Sequence, residues 1–228
     1  MLIDHSREDL TFLQIHLGGD RNFSYLLGDP ATGEAAAFDP GFDAAGLQAI
    51  AREYNLDIQT ILITHGHGDH VGEAGRLVEL TGARLMAGAE DRVAGAENVA
   101  DHAEIQLGGL TLYALHTPGH SPGHFCYLCE EYLVTGDLLF CGKVGGTGPY
   151  FPGSSAEAEY DSLLKLLQLP EETRVFPGHD YYGGPGSRTH STIAQERDSN
   201  PFLTAGGLRA FCHLKDNWAA YKEEHGIK

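Results

Sequence analysis

The chain has 228 residues, of which 42% are hydrophobic and 21% charged, so intrinsic disorder is excluded as its default state. Its formal net charge of −17, without any run of Lys or Arg, argues against a nucleic-acid partner, because an acidic surface repels phosphates. No apolar stretch reaches the roughly 18 residues that a membrane span needs, so we expect no membrane partner.

In the first half of the chain, short apolar segments predict five strands, and two segments with helical spacing lie among them. The strands are predicted at residues 11–17, 23–28, 35–38, 60–64 and 83–87, and the helices at 44–54 and 72–80. The turn Asp39-Pro40-Gly41 ends the third strand.

The second half repeats this alternation, with strands predicted at 104–107, 110–116, 125–129, 132–135 and 173–176, and helices at 156–169 and 203–225. Pro170 ends the first of these helices, and Gly206-Gly207 weakens the start of the second. Strands in runs with helices between them predict an α/β protein in which two sheets are covered by helices. No linker divides the sequence, so we expect one domain over residues 1–228, with a short helical appendage at about 203–228.

Four candidate metal ligands occur within six residues, directly after the predicted strand at 60–64. They lie in the sequence His65-Gly66-His67-Gly68-Asp69-His70. Its two glycines allow a turn tight enough for neighbouring side chains to converge. Imidazole nitrogens and carboxylate oxygens suit Zn²⁺, Fe²⁺ or Mn²⁺, so this motif predicts a metal site.

Three further donors each follow a predicted strand and lie beside a glycine, namely His120, Asp137 and His179. Side chains at the ends of strands can meet in the loops along one edge of a sheet. An isolated histidine in a polar loop is more often an ordinary surface residue, but the seven donors together predict a metal centre.

The order His-x-His-x-Asp-His, followed by separated His, Asp and His, resembles the metallo-β-lactamase superfamily over about residues 11–203. The resemblance implies the four-layer αββα sandwich of that family, an α/β fold with its metal site along one edge of the two packed sheets. It also implies that Asp39, at the end of an early strand, orients the ligand loop.

The resemblance further implies two metal sites. It assigns His65, His67 and His120 to the first and Asp69, His70 and His179 to the second, with Asp137 as a bridge. Two divalent ions (Zn²⁺, Fe²⁺ or Mn²⁺) would hold a shared hydroxide and polarise a carbonyl oxygen. Asp69 is the predicted catalytic residue.

Several segments resemble glyoxalase II, which hydrolyses S-acylglutathione thioesters such as S-lactoylglutathione. They are residues 136–140, Gly142-Lys143, residues 169–175 and Gly178-His179-Asp180-Tyr181. Lys143 and Tyr181 fall where that family contacts glutathione, and an ammonium group or a phenol can bind a glutathione carboxylate. This resemblance implies a metal-dependent thioester hydrolase.

The C-terminal part of the sequence favours a second interpretation. The segments Ser191-Thr192-Ile193, Glu196-Arg197 and Asn200-Pro201-Phe202-Leu203 resemble the persulfide dioxygenase branch. That branch oxidises glutathione persulfide with O₂ at a single Fe²⁺, for which the resemblance implies His65, His120 and Asp137 as ligands, two histidines and one carboxylate. A hydrolase acting on another thioester or a lactone, and a purely structural metal site, are further alternatives.

Both main interpretations imply a small glutathione-linked substrate, and we expect a monomer or a homodimer. The acidic start of the chain has no apolar signal region, and four cysteines are too few for a disulfide framework, so we expect a cytoplasmic protein. Cys126 and Cys129 lie three positions apart in a predicted strand and should face opposite sides, so we expect them to pack rather than share a metal.

Overall fold

The computed structural model describes residues 1–19, 21–180 and 188–226, which form two large sheets with helices on their outer faces. The first sheet contains, in both chain order and spatial order, β1 (Leu2–Asp4), β2 (Thr11–Ile15), β3 (Ser24–Gly28), β4 (Glu34–Phe38), β5 (Asp57–Leu62), β6 (Arg84–Ala87) and β7 (Glu97–Asn98). The strands β1 to β4 are antiparallel, and β4 to β7 are parallel. Parallel strands need crossover connections, and α1 (Ala44–Glu53), α2 (Gly68–Val71) and α3 (Ala74–Thr81) lie in them.

The second sheet is ordered β15-β14-β11-β10-β9-β8. Its strands are β8 (Glu104–Leu107), β9 (Leu110–His116), β10 (Phe125–Cys129), β11 (Tyr132–Gly136), β14 (Arg174–Pro177) and β15 (Ser191–Thr192). A small hairpin of β12 (Leu139–Phe140) and β13 (Lys143–Val144) follows β11. The remaining helices are α4 (Ala156–Leu166), α5 (Ile193–Ser199), α6 (Leu208–Asp216) and α7 (Trp218–His225), and a short 3-10 helix spans Ala89–Asp91.

Three buried clusters show how the layers stack. Alternation along the strands sends Phe12 between the two sheets and Leu13 beneath α1 and α3, as expected for the period of two in a strand. On the second sheet, Val134 faces the first sheet, and Leu133 faces the cluster that contains Phe211 of α6. The order is therefore helices, sheet, sheet, helices, which confirms the predicted four-layer α/β sandwich.

Two helix predictions were wrong in detail. Residues 203–207 are not helical, because Gly206 and Gly207 adopt φ angles of 92° and 111°, which a right-handed helix excludes. The predicted helix at 203–225 is divided at Asn217 into α6 and α7. The predicted helix at 72–80 begins at Ala74, and a separate helical turn precedes it at Gly68–Val71.

Several strands end at one edge of the sandwich and carry the predicted donors there. Asp39 follows β4, the motif that begins at His65 follows β5, and Asp137 directly follows β11. The two sheets are joined at this edge by a hydrogen bond of 2.8 Å from Phe125 N to Thr64 O. Loops from different sheets are thereby brought together, which is the arrangement that a shared site needs.

Two further expectations concern surface and packing. Among the described residues, no helix is both long enough and apolar enough to cross a membrane. Cys126 faces the helices on the outer side of the second sheet, whereas Cys129 lies between the two sheets. Both thiols are free, and the prediction that they pack on opposite faces is confirmed.

Candidate metal centre

The structure brings all seven predicted donors together in three overlapping groups. Within each group, the candidate ligand atoms lie within 4.8 Å of one another. The groups are His65, His67 and His120; His65, His70 and Asp137; and Asp69, His70 and His179. The first and third groups contain the residues that the resemblance assigns to the two metal sites.

The distances between ligand atoms suit metal ions. His67 Nδ1 lies 3.0 Å from His120 Nε2, and His70 Nε2 lies 3.2 Å from His179 Nε2. Two imidazole nitrogens on one tetrahedral ion with metal–nitrogen bonds of about 2.0–2.1 Å are roughly 3.3 Å apart. The Asp137 carboxylate lies between the two pairs, with Oδ2 at 3.7 Å from His120 Nε2 and 3.3 Å from His179 Nε2.

The buried atom His65 Nε2 provides an independent test of whether a cation fits. It has no hydrogen-bond partner in the part of the chain that the structure describes. The other ring nitrogen, Nδ1, lies 3.0 Å from Thr64 Oγ1, whose proton is donated to Asp39 Oδ2 at 2.6 Å. Thr64 must therefore accept from His65 Nδ1–H, which leaves a lone pair on Nε2. Leaving such an acceptor unpaired costs about 1–3 kcal/mol, so a ligand at this point is expected.

Asp39 orients two of the donors. It has a φ of 46°, a conformation that Asp tolerates, and its carboxylate turns back towards the end of β5. It accepts hydrogen bonds from Thr64 N at 2.7 Å, from Thr64 Oγ1 and from His70 Nδ1 at 2.9 Å. The bond to Nδ1 therefore directs His70 Nε2 towards the other donors. Through Thr64, Asp39 also orients the ring of His65, as the resemblance implies.

Three orienting groups were not predicted from the sequence. His120 Nδ1 donates to Gly146 O at 2.7 Å, which turns Nε2 towards the centre. Asn22 Nδ2 donates to Asp69 Oδ2 at 3.0 Å and to the Asp69 carbonyl at 3.2 Å. Thr64 could have been suspected from its place beside His65, but Asn22 and Gly146 belong to no local motif.

Gly136 sets the direction of Asp137. Its φ of 47° lies in the left-handed region, and a Cβ there would lie 2.5 Å from Thr64 Oγ1 and 2.9 Å from His124 Nε2. A residue with a side chain would therefore collide with groups beneath the centre. The sharp bend at Gly136 directs the next residue out of β11 and in among the histidines.

The direction of the pKa shift separates the neutral donors from the charged ones. Burial lowers the pKa of His65 well below its usual range and that of His120 to about 4, so both rings keep a free lone pair. Burial alone would lower the pKa of His179, but the Asp137 and Asp69 carboxylates raise it to about 9. The hydrogen bond from His179 holds the pKa of Asp69 well below its usual range. Asp69 is thus ionised, and its side chain is 42% exposed.

None of the seven donors lines the cavity of about 640 Å³, but a residue that contacts one of them does. Gly146, whose carbonyl holds His120, forms part of its wall, together with Lys143, Phe202, Lys215 and Trp218. Burial, and next the positive charge of Lys222, lower the pKa of Lys143 to about 8. Lys143 therefore lines a cavity that could admit a substrate, and its contact with glutathione stays a prediction. The other predicted contact, Tyr181, lies outside the described residues.

Residues 119–123 have the pattern Gly-x-Ser-x-Gly, which presents a nucleophilic serine in α/β-hydrolases. That role needs a turn between a strand and a helix, whereas this segment connects the antiparallel strands β9 and β10. Ser121 is 4% exposed, and its hydroxyl donates to Asp91 Oδ2 at 2.7 Å. Ser121 is therefore engaged in holding the loop and is not presented as a nucleophile.

Comparison with known proteins found similar sequences and structures. The sequence profile of the metallo-beta-lactamase superfamily matches residues 17–179. The hydroxyacylglutathione hydrolase of Rhodopseudomonas palustris is 38% identical over 169 residues, which are 70% of this chain and 63% of that protein. The chain spans between 52% and 63% of the length of three curated relatives that it matches.

Two solved structures are also similar. The crystal structure of ETHE1 from Myxococcus xanthus has a TM-score of 0.83 and 32% identity, and the match covers 91% of this chain and 90% of that chain. The crystal structure of TTHA1623 in a di-iron-bound form has a TM-score of 0.69 and 31% identity, covering 83% of this chain and 99% of that chain.

Proposed function

The chain belongs to the metallo-beta-lactamase superfamily, and we propose that it is a metal-dependent hydrolase that converts an S-acylglutathione into an acid and glutathione. The proposal is supported by relatives named hydroxyacylglutathione hydrolase. We propose that His65, His67, Asp69, His70, His120, Asp137 and His179 bind two divalent ions, which Zn²⁺, Fe²⁺ or Mn²⁺ would suit.

The observation that carries this proposal is a residue that contacts both the cavity and one of the donors. Gly146 lines the cavity and at the same time accepts the hydrogen bond that orients His120. The volume of about 640 Å³ lies within the range of about 300–1,000 Å³ that is typical of small-molecule sites. Lys143 in the cavity wall offers a positive charge to a substrate carboxylate, which the net charge of −17 would otherwise repel.

When bound, the two ions would polarise the thioester carbonyl and make water a nucleophile near neutral pH. The chain's own residues bind and orient around them. Lys143 binds the glutathione part in the cavity, and Tyr181 is a second proposed contact. We propose that the partly exposed Asp69 carboxylate accepts a proton from the attacking water and returns it to the departing sulfur.

Hydrolysis of S-lactoylglutathione, followed by its thioester absorbance, tests the proposal. The metal-loaded protein is expected to hydrolyse it, and Asp69→Ala should abolish the reaction. Asp161→Ala, which removes an exposed carboxylate on α4, is the matched control and should leave the rate unchanged. A metal-loaded protein that hydrolyses no thioester would reject the proposal.

A second candidate function is oxidation of glutathione persulfide to sulfite at a single Fe²⁺ held by His65, His120 and Asp137. It is favoured by the resemblance of residues 191–203 to the persulfide dioxygenase branch, and the similarity to ETHE1 covers about nine tenths of both chains. This function predicts one iron per chain and O₂ uptake with glutathione persulfide. Two bound zinc ions and no O₂ uptake would eliminate it.

We further propose that residues 1–228 act as a single domain, either as a monomer or as a homodimer, in the cytoplasm. The four free thiols are consistent with a reducing compartment. The net charge of −17 disfavours nucleic acid as a partner. The substrate is the only partner that we propose.

A further inference from the structure

One aspartate that is not among the seven donors contacts both histidine loops of the first metal group. Asp91 ends the 3-10 helix Ala89–Asp91. Its Oδ2 accepts hydrogen bonds from Gly66 N at 2.8 Å and from Ser121 Oγ at 2.7 Å, and its Oδ1 accepts one from Gly123 N at 2.8 Å. We propose that Asp91 is a positioning residue, which fixes the loop of His65 and His67 relative to the loop of His120.

The positions of its partners show what Asp91 controls. Gly66 lies between His65 and His67 in the chain, and Ser121 directly follows His120. The bonds from Gly66 and Ser121 therefore hold residues that directly adjoin a donor, and the bond from Gly123 N holds the His120 loop three residues further on. The first loop leaves β5 of the first sheet and the second leaves β9 of the second sheet, so strand pairing does not set the distance between them.

The backbone around Asp91 is packed closely enough to hold this position. A Cβ at Gly66 would lie 2.9 Å from Asp91 Cβ, and a Cβ at Gly123 would lie 2.7 Å from Asp91 N. A Cβ at Gly88, where the segment leading to Asp91 begins, would lie 2.0 Å from Gly123 O. The two loops and this segment meet through glycines, so small displacements of Asp91 would be passed to both loops.

The chemistry of the contact requires a carboxylate. All three partners are donors, and an ionised Asp is an acceptor only, so each bond is charge-assisted. An Asn would place an amide NH₂ group against at least one of these donors. Loss of a residue that orients metal ligands typically costs about 10–100-fold in metal affinity. The inference rests on the proposed metal centre, but not on the identity of the substrate.

The test is a Zn²⁺ titration of the metal-free full chain against a competing chelator, resolved into its two binding steps. Asp91→Asn is expected to weaken the step at His65, His67 and His120 by about 10–100-fold and to change the other step by less than about threefold. Glu90→Gln is the matched control. Glu90 is exposed, it lines a small cavity together with Asp91 and His67, and its replacement removes the same charge. It should change neither step by more than about threefold.

Wild-type Zn²⁺ affinity in Asp91→Asn would overturn the inference, and so would a variant that only lowers the melting temperature of the metal-free protein. If Asp91→Asn does not fold, Ser121→Ala tests the inference instead, because it removes one hydrogen-bond donor to Asp91 and keeps the Asp91 carboxylate. It should weaken the same step by a smaller factor, and unchanged affinity would overturn the inference. A wild-type protein that binds Zn²⁺ but hydrolyses no thioester would reject the proposed function alone.

Discussion

The side-chain amide of Asn200 donates a hydrogen bond of 3.1 Å to the backbone carbonyl of Lys143. The same amide donates to Glu196 Oε2 at 2.9 Å, and this oxygen also accepts from Gly142 N at 2.8 Å. Asn200 and Glu196 are fully buried. Glu196 and Asn200 belong to the segment that resembles persulfide dioxygenases. They hold the turn of Lys143, the residue for which the resemblance to glyoxalase II implies a glutathione contact. These two sequence features form one structural unit, so neither of them alone distinguishes the two activities.

Replacing Asn200 by Ala should raise the KM for S-lactoylglutathione about fivefold and leave kcat within about twofold. The reason is that a hydrogen bond contributes about 1 kcal/mol, and Lys143 is expected to bind substrate but not to take part in the chemical step. Steady-state kinetics measure this split, with the exposed Asn98→Ala as control. An unchanged KM, or an equal loss in kcat alone, would contradict the role of this contact.

The KM should also depend on pH through Lys143. Because the pKa of Lys143 is lowered to about 8, its ammonium is charged below that pH and neutral above it. Attraction for a substrate carboxylate is therefore lost as the pH rises, and KM should increase between about pH 7 and pH 9. Lys143→Arg stays charged over this range and should flatten the profile. If the wild-type KM does not change with pH, Lys143 is not the contact.

Asp39→Asn should weaken both Zn²⁺ binding steps by about 10–100-fold, since Asp39 holds His70 directly and His65 through Thr64. An Asn cannot accept from all three donors that face Asp39. A chelator competition measures the change, with the exposed Asp57→Asn as control. Loss confined to a single step would show that Asp39 does not couple the two groups, in contrast to the prediction for Asp91.

The ion pair between Glu159 of α4 and Lys215 of α6 is predicted to matter for stability. Glu159 is fully buried, and burial raises its pKa to about 7 despite Lys215. Lys215→Met leaves this carboxylate buried without a partner, which should cost about 3–5 kcal/mol at pH 8. Because Lys215 itself lowers the pKa of Glu159, that pKa lies above 7 in the variant, and the loss should shrink as the pH falls towards about 7 and Glu159 takes up a proton.

Urea unfolding measures these free energies. Adding Glu159→Met to Lys215→Met removes the stranded charge and should recover most of the loss, because an apolar pair of similar volume replaces the ion pair. A single Lys215→Met variant as stable as the parent, or a double variant less stable than the single one, would contradict the assignment.

Local patterns were sufficient for much of the fold. Strands β9 and β10 were predicted, as short apolar segments, with the bounds that the structure shows. The two-residue strands β7, β12, β13 and β15 were missed, because a segment this short has no periodicity to detect. The helix predicted at 203–225 included Gly206 and Gly207. The sequence indicated that these glycines weaken the start of the helix, but not that their positive φ angles exclude it there.

The donors could be predicted because each lies in a compact motif or beside a glycine after a strand. The residues that orient them could not, since their contacts are distant along the chain. Asn22 reaches Asp69, which is 47 residues away, and Asp91 reaches Ser121, which is 30 residues away. Such pairs form only when loops from separate strands meet in the folded chain, so no spacing within a single segment can indicate them.

The most direct measurement is the anomalous X-ray scattering of crystals of protein purified without added metal, which both locates and counts bound ions. The account predicts two peaks on either side of the Asp137 carboxylate, one among His65, His67 and His120 and the other among Asp69, His70 and His179. Crystals with no anomalous peak among these seven side chains would contradict it.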